Sequence, residues 1–112
     1  MKSSKKVLLY GCGTICKLII DNQINLNAEI TSSIDEEINK IFCGKFVFDL
    51  NNINFNNYDM ILITPIGYNE KILKKFDSNL NHKIYWVTMK EIQNKTIYSI
   101  CGFKKSKNLF SD

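Results

Sequence analysis

A chain of 112 residues with a formal net charge of +4 has room for one domain around a single packed core, and none for a dinucleotide-binding domain joined to a separate catalytic one. Its lysines are scattered apart from a modest cluster at Lys104, Lys105 and Lys107. Without an aromatic-and-basic RNA motif beside it, that cluster reads as a solvated end, so no nucleic-acid partner is expected. No run approaches the roughly 18 apolar residues of a membrane span. The apolar stretch after the basic Met1–Lys6 segment breaks at Gly11, too short for a signal peptide, and a cytoplasmic protein is expected.

Lys6 to Tyr10 is a near-continuous apolar run, the pattern of a parallel strand buried on both faces. It leads directly into Gly11-Cys12-Gly13-Thr14. Thr14 to about Asn22 then reads as a helix whose buried stripe is Ile15, Leu18 and Ile19. Glycines between a strand and a helix let backbone N–H groups approach a diphosphate, and the unsatisfied N–H groups of the first helical turn attract its charge. Gly11, Cys12, Gly13, Thr14 and Ile15 are therefore candidate nucleotide-binding residues. A tight strand-to-helix turn also calls for glycine with nothing bound, and Thr14 either donates its hydroxyl to a phosphate or caps the helix.

Ala28 to Ser33 is the second strand, closing at Ile34-Asp35. Asp35 follows Gly13 at near the ~20-residue spacing of a dinucleotide fingerprint. It either accepts a ribose hydroxyl or begins a short helix with Glu36 and Glu37. Glu36 to Lys40 is a short helix or a loop, Gly44 leads into a third strand over Lys45–Phe48, and Asn51 to Asn57 is turn-rich with Ile53 and Phe55 as anchors. Asp59 to Thr64 is the clearest buried strand. Pro65 stops it, and Gly67 permits a tight turn before a helix from Tyr68 to Phe76 with Ile72, Leu73 and Phe76 inward. Pro65, Gly67 and Tyr68 join the candidate site; Tyr68 is placed either to contact a base or sugar or to cover the helix start. Lys83 to Val87 is the fifth strand, on which Tyr85 and Trp86 point to opposite faces. Thr88 is expected to cap a last short helix through Glu91 and Ile92. Thr96 to Phe103 is left open as a sixth strand, an arm or the remnant of a lost second domain, and the chain is read as one domain over 1–112 with 96–112 an arm or tail.

Strands separated by helical crossovers imply an α/β fold: a three-layer Rossmann-like parallel sheet of about five strands in the order 3-2-1-4-5, with helices on both faces. Ligands then sit beyond the carboxyl ends of strands one and four, where both glycine turns fall. The cysteines, Cys12, Cys16, Cys43 and Cys101, lack C-x-x-C spacing and read as small apolar fillers. Cys12 and Cys16 lie one helical turn apart, but the sole histidine, His82, is remote, so no metal site is expected. Cys12 at a helix N-terminus is expected to have a lowered thiol pKa. His82 has no carboxylate placed to orient it, and no residue group suits acid–base or nucleophilic work, so the chain is not expected to catalyse a reaction by itself.

Val7 through Gly13, Glu29-Ile30 through Ile34-Asp35, Lys45-Phe46-Val47 and Tyr58 through Gly67 resemble the N-terminal Rossmann-like domain of bacterial sugar-nucleotide modifying proteins. These are the sugar acyltransferases of the bacillosamine and sialic-acid type and the polysaccharide-biosynthesis dehydratases; similar modules occur in some sugar methyltransferases. The resemblance covers roughly Lys6 to Ile92. It implies a clamp for the nucleotide part of a UDP-sugar, in surface polysaccharide or glycan biosynthesis. Gly11 and Gly13 match the phosphate-turn glycines, Asp35 the acidic position closing strand two, and Gly67 the glycine after strand four. The third glycine of G-x-G-x-x-G is Cys16, the Gly-Gly-His turn of the acyltransferases is Gly13-Thr14-Ile15, and no hexapeptide repeats follow Ile92. A binding domain without its catalytic domain is thus expected, with a UDP-sugar or NAD(P) as candidate ligand and a homodimer or a partner enzyme as candidate assembly. The alternative is an interaction or dimerisation module with an empty crevice.

Overall fold

The computed structural model describes residues 5–22, 26–67, 69–103 and 106–108. Strand β1 (Lys6–Tyr10) lies at the centre, with parallel neighbours β2 (Asn27–Ser32) and β5 (Met60–Ile63). With a strand on each side and side chains covered on both faces, Leu8 and Leu9 are fully buried, which is why this segment is apolar at successive positions. Beyond β2 lies β4 (Lys45–Asp49) and beyond β5 lies β6 (Ile84–Ile92), both parallel to their neighbours. Three further strands, β3 (Ile41–Phe42), β7 (Lys95–Gly102) and β8 (Ser106–Asn108), are antiparallel additions. Among the described residues the sheet has eight strands in the order β3-β4-β2-β1-β5-β6-β7-β8.

This overturns the expected three-layer, all-parallel sheet of about five strands. The sheet is mixed, and among the described residues the helices are too few and too short to form two outer layers. Helix α1 (Thr14–Asn22) has nine residues and α2 (Asn69–Leu73) only five. After β2 the chain makes turns over 35–39 instead of a helix. Between β4 and β5 it makes two single 3₁₀ turns, Leu50–Asn52 and Phe55–Asn57. Asp49 and Asn54 cause these: each side chain accepts the N–H two residues on, from Asn51 at 3.0 Å and Asn56 at 3.1 Å, closing a local turn that competes with α-helix.

The last expected helix is also absent. β6 continues through Thr88 to Ile92 and returns through Gln93 and Asn94, whose φ values are +50° and +66°, the left-handed pair that a two-residue hairpin requires. Residues 95–102 are thereby a strand, β7, so the open choice for Thr96 to Phe103 falls to strand. Lys104 and Lys105 of the basic cluster, and Tyr68 of the candidate site, lie outside the described residues.

Two buried clusters sit on opposite faces of the sheet. On one, Val7, Leu9, Ile30 and Val47 pack with Cys16 and Ile19 of α1. On the other, Leu8, Tyr10, Ile61 and Ile63 pack with Ile72 and Phe76 from α2 and the turn after it, and with Leu50 and Tyr58. Tyr85 joins the first cluster and Trp86 the second, where its ring meets Phe103 edge-to-face at 5.3 Å.

At the amino-terminal ends of these strands the Tyr58 hydroxyl donates to Glu29 Oε1 at 2.5 Å, and Lys6 Nζ lies 3.2 Å from the same oxygen. The Tyr58 hydrogen bond, then Lys6, hold the Glu29 carboxyl below its ordinary range against the opposing effect of burial. A carboxyl with a depressed folded pKa contributes stability above its unfolded pKa of about 4.3, lost as pH falls through the folded value. The contribution is modest, because the Glu29 side chain is 34% exposed and screened. Melting temperature followed from pH 7 to pH 3 should therefore fall less steeply in Tyr58→Phe than in the parent; an equal slope would remove this pair from the acid response.

Candidate functional site

Three strands are tied together where β1 ends. The Tyr10 carbonyl accepts both the N–H of Thr64, at 3.0 Å, and its hydroxyl, at 2.7 Å. One residue on, the Gly11 N–H donates to the Thr31 carbonyl at 3.0 Å. Gly11 has φ +107°, and a Cβ there would lie 2.9 Å from Thr64 Oγ1 and 3.0 Å from the Pro65 ring. The fold itself therefore demands glycine at 11.

Gly13 is a different case. Its φ is not in the left-handed region and a Cβ would meet nothing within 4 Å. Its carbonyl accepts the Lys17 N–H at 3.1 Å, which makes it the N-cap of α1. Thr14, the first helical residue, is therefore not the cap. A glycine cap offers no side-chain oxygen to the first-turn N–H groups, and α1 carries no acidic residue in that turn. The positive end of the helix thus opens to solvent beside an exposed glycine and an exposed Thr14. Such an end suits an anion.

The remaining expected residues fall as follows. Cys12 and Ile15 are half-buried, Ile15 against the α1-side core. Pro65 is half-buried against Gly11, and Gly67, φ +90°, is exposed two residues further on. The turn at β1 and the turn after β5 therefore meet at Gly11 and Pro65, between the two strands whose crossovers leave in opposite directions across the sheet. Asp35 is exposed at the head of the turn after β2. The carboxylate felt at the glycine turn is Glu37: it accepts a hydrogen bond from the buried Ser32 hydroxyl, which also accepts the Ile34 N–H at 3.1 Å, and its charge acts on Cys12. Sequence reasoning missed Glu37, whose one signal is a serine closing β2 five residues before it.

The thiols correct another expectation. Burial, then Glu37, then Cys43 push the Cys12 thiol up to about 11, and burial, then Cys12 and Cys43, push Cys16 up to about 12. The pull of the helix N-terminus does not prevail, because the site removes the thiolate from water and places a carboxylate near it. Among the described residues no group of three or more His, Cys, Asp or Glu is arranged to hold a metal ion. His82 is exposed, with Nδ1 3.0 Å from the Asn79 carbonyl.

The family model described as C2185-like, N-terminal, matches residues 3–85. The chain belongs to this C2185-like N-terminal family. Its fold is similar to the crystal structure of UDP-D-quinovosamine 4-dehydrogenase from Vibrio fischeri, at a TM-score of 0.54 and 12% identity, over 86% of this chain and 93% of that one. At that identity the likeness is one of fold. No curated protein matches the chain. Among the described residues no helix is long and apolar enough to cross a membrane.

The two glycines of this family member should respond unequally to substitution. Gly11→Ala combines left-handed strain with overpacking against Thr64 and Pro65 and should cost about 2–4 kcal/mol in chemical denaturation, whereas Gly13→Ala loses only cap preference, about 1 kcal/mol or less. Glu37→Gln should bring the alkylation midpoint of Cys12, followed by peptide mapping, below about 11; an unchanged midpoint would leave burial and Cys43 as the causes.

Proposed function

We propose that this domain binds a nucleotide-sugar, a UDP-sugar by preference, with the diphosphate at the Gly11–Thr14 turn and against the first turn of α1. The observation that carries this reading is Gly13. Nothing in the backbone or the packing requires glycine there, and the helix end it caps is left open to solvent. The free space above it is the space a diphosphate would need to reach the N–H groups of Thr14 and Ile15. Cys12 and Ile15 line the turn from within, Pro65 and Gly67 bound it on the β5 side, and Asp35 or Glu37 supplies an acceptor for ribose hydroxyls.

A UDP-sugar is favoured over NAD(P) by the fold likeness to a UDP-sugar dehydrogenase, and the setting proposed is surface polysaccharide or glycan biosynthesis. The domain's part is to hold the ligand; no acid–base or nucleophilic group of the chain is assigned a step. A second reading, an interaction module with an unused turn, draws on the hairpin of β6 and β7. Its Met89, Ile92 and Ile97 are exposed, beyond Trp86, the last residue of β6 paired with β5.

Calorimetric titration with UDP-N-acetylglucosamine, UDP and NADH tests the proposal. UDP and the UDP-sugar should bind, and Gly13→Val should weaken both at least tenfold while the variant still melts cooperatively. Binding that survives Gly13→Val would move the site elsewhere, NADH in place of UDP would change the ligand class, and no binding by any of the three would favour the interaction module.

A further inference from the structure

A second recess opens at the same edge of the sheet but on the face opposite α1. Its volume is about 310 Å³, and it is lined by Ser33, Leu50, Asn51, Ile53, Phe55 and Lys75. Ser33 directly follows β2, Leu50 and Asn51 form the 3₁₀ turn directly after β4, and Phe55 starts the next. These positions place the recess at the carboxyl ends of β2 and β4. Lys75 comes from the turn after α2, held by its N–H to the Ile72 carbonyl at 3.0 Å. The recess is tied to the glycine turn through Tyr10: its hydroxyl is 2.8 Å from Ser33 Oγ, and its own carbonyl carbon bonds to the Gly11 nitrogen.

The lining divides by chemistry. Leu50, Ile53 and Phe55 are apolar, and the Phe55 ring is fixed edge-to-face against Phe76, centroids 5.5 Å apart. Ser33, Asn51 and Lys75 supply the polar part, and it is rich in donors. The Lys75 ammonium has no carboxylate within ion-pair distance among the described residues, where the ion pairs are Lys6 with Glu29 and Lys17 with Asp21. A fixed aromatic ring beside amide and ammonium donors, with the Ser33 hydroxyl shared with Tyr10, matches a ligand with one C–H face, oxygen acceptors and a negative charge. A recess of this size is at the lower end of small-molecule sites, about 300–1,000 Å³, so it takes one ring and not a whole nucleotide-sugar.

We infer that this recess binds a sugar ring bearing an anionic group, a carboxylate or a phosphate, with the ring against Phe55 and the anion on Lys75. The choice of a sugar rests on the nucleotide-sugar reading of the glycine turn. The anion and the aromatic face rest on the recess alone.

Titration of the ¹⁵N-labelled protein with glucuronate, glucose 1-phosphate and glucose tests this by amide shifts. One or both anionic sugars should move the amides of Ser33, Asn51, Phe55 and Lys75, the tighter of the two naming carboxylate or phosphate as the group read. Lys75→Gln should weaken that binding at least tenfold, and glucose should bind at least tenfold more weakly than the anion. Lys75 is exposed, so its replacement leaves the core intact, and an unchanged amide spectrum outside the recess checks this. Gly13→Val should leave anionic-sugar binding within twofold while weakening UDP binding at least tenfold. Shifts confined to other residues, equal affinity in Lys75→Gln, equal binding of glucose, or no binding would overturn the inference. Retention of UDP binding in such a case would show that the glycine turn stands without it.

Discussion

The structure depends on what happens at one peptide, between Tyr10 and Gly11. On one side the carbonyl is held twice by Thr64, and on the other the N–H is held by Thr31, so β1, β2 and β5 are locked at a common level where they end. Only a residue without Cβ allows Pro65 to close over that peptide. The chain leaving β1 passes the half-buried Cys12 to the exposed Gly13 and Thr14, where α1 begins.

Because the connections after β2 and β4 are turns and 3₁₀ turns, the sheet is covered unevenly. α1 protects one face, and the 3₁₀ turns with the short α2 protect part of the other. Where cover is thin, apolar side chains stand near solvent: Phe46 and Phe48, edge-to-face at 4.9 Å, are both exposed on β4. The same thinness leaves the recess at Ser33, Asn51 and Lys75. A full helical layer over β2 and β4 would have filled that volume with side chains, and the donors would have been spent on the helix.

Charge near the glycine turn is set by a residue that its neighbours position. Ser32 is 1% exposed; its hydroxyl turns the chain at Ile34 and meets Glu37, so the carboxylate that acts on Cys12 belongs to the third of three consecutive acidic residues. Asp35, first of the three, is displaced outward by that turn. The raised Cys12 thiol follows from burial together with that carboxylate, which outweigh the favourable helix end, and the raised Cys16 thiol follows first from burial.

The apolar runs at Lys6–Tyr10, Ala28–Ser33, Lys45–Phe48 and Asp59–Thr64 were legible in the sequence to within one or two residues. Burial on both faces leaves an unbroken hydrophobic signal, and Gly11, Pro65 and Gly67 punctuate it through local backbone conformations. The β6–β7 hairpin was not legible: its turn is Gln93-Asn94, with no glycine to announce the left-handed pair, and Thr88 carries the mark of a helix cap until a partner strand is present to compete. Neither was the loss of helical layers, which between β4 and β5 goes with the local turns closed by Asp49 and Asn54. Periodicity and backbone sterics determined where strands begin and end and where glycine is tolerated, since both act over a few residues. Which glycine the fold consumes and which it leaves free, which carboxylate reaches the turn, and that Lys75, Asn51 and Ser33 line one recess were decided by tertiary structure, because each depends on segments far apart in sequence.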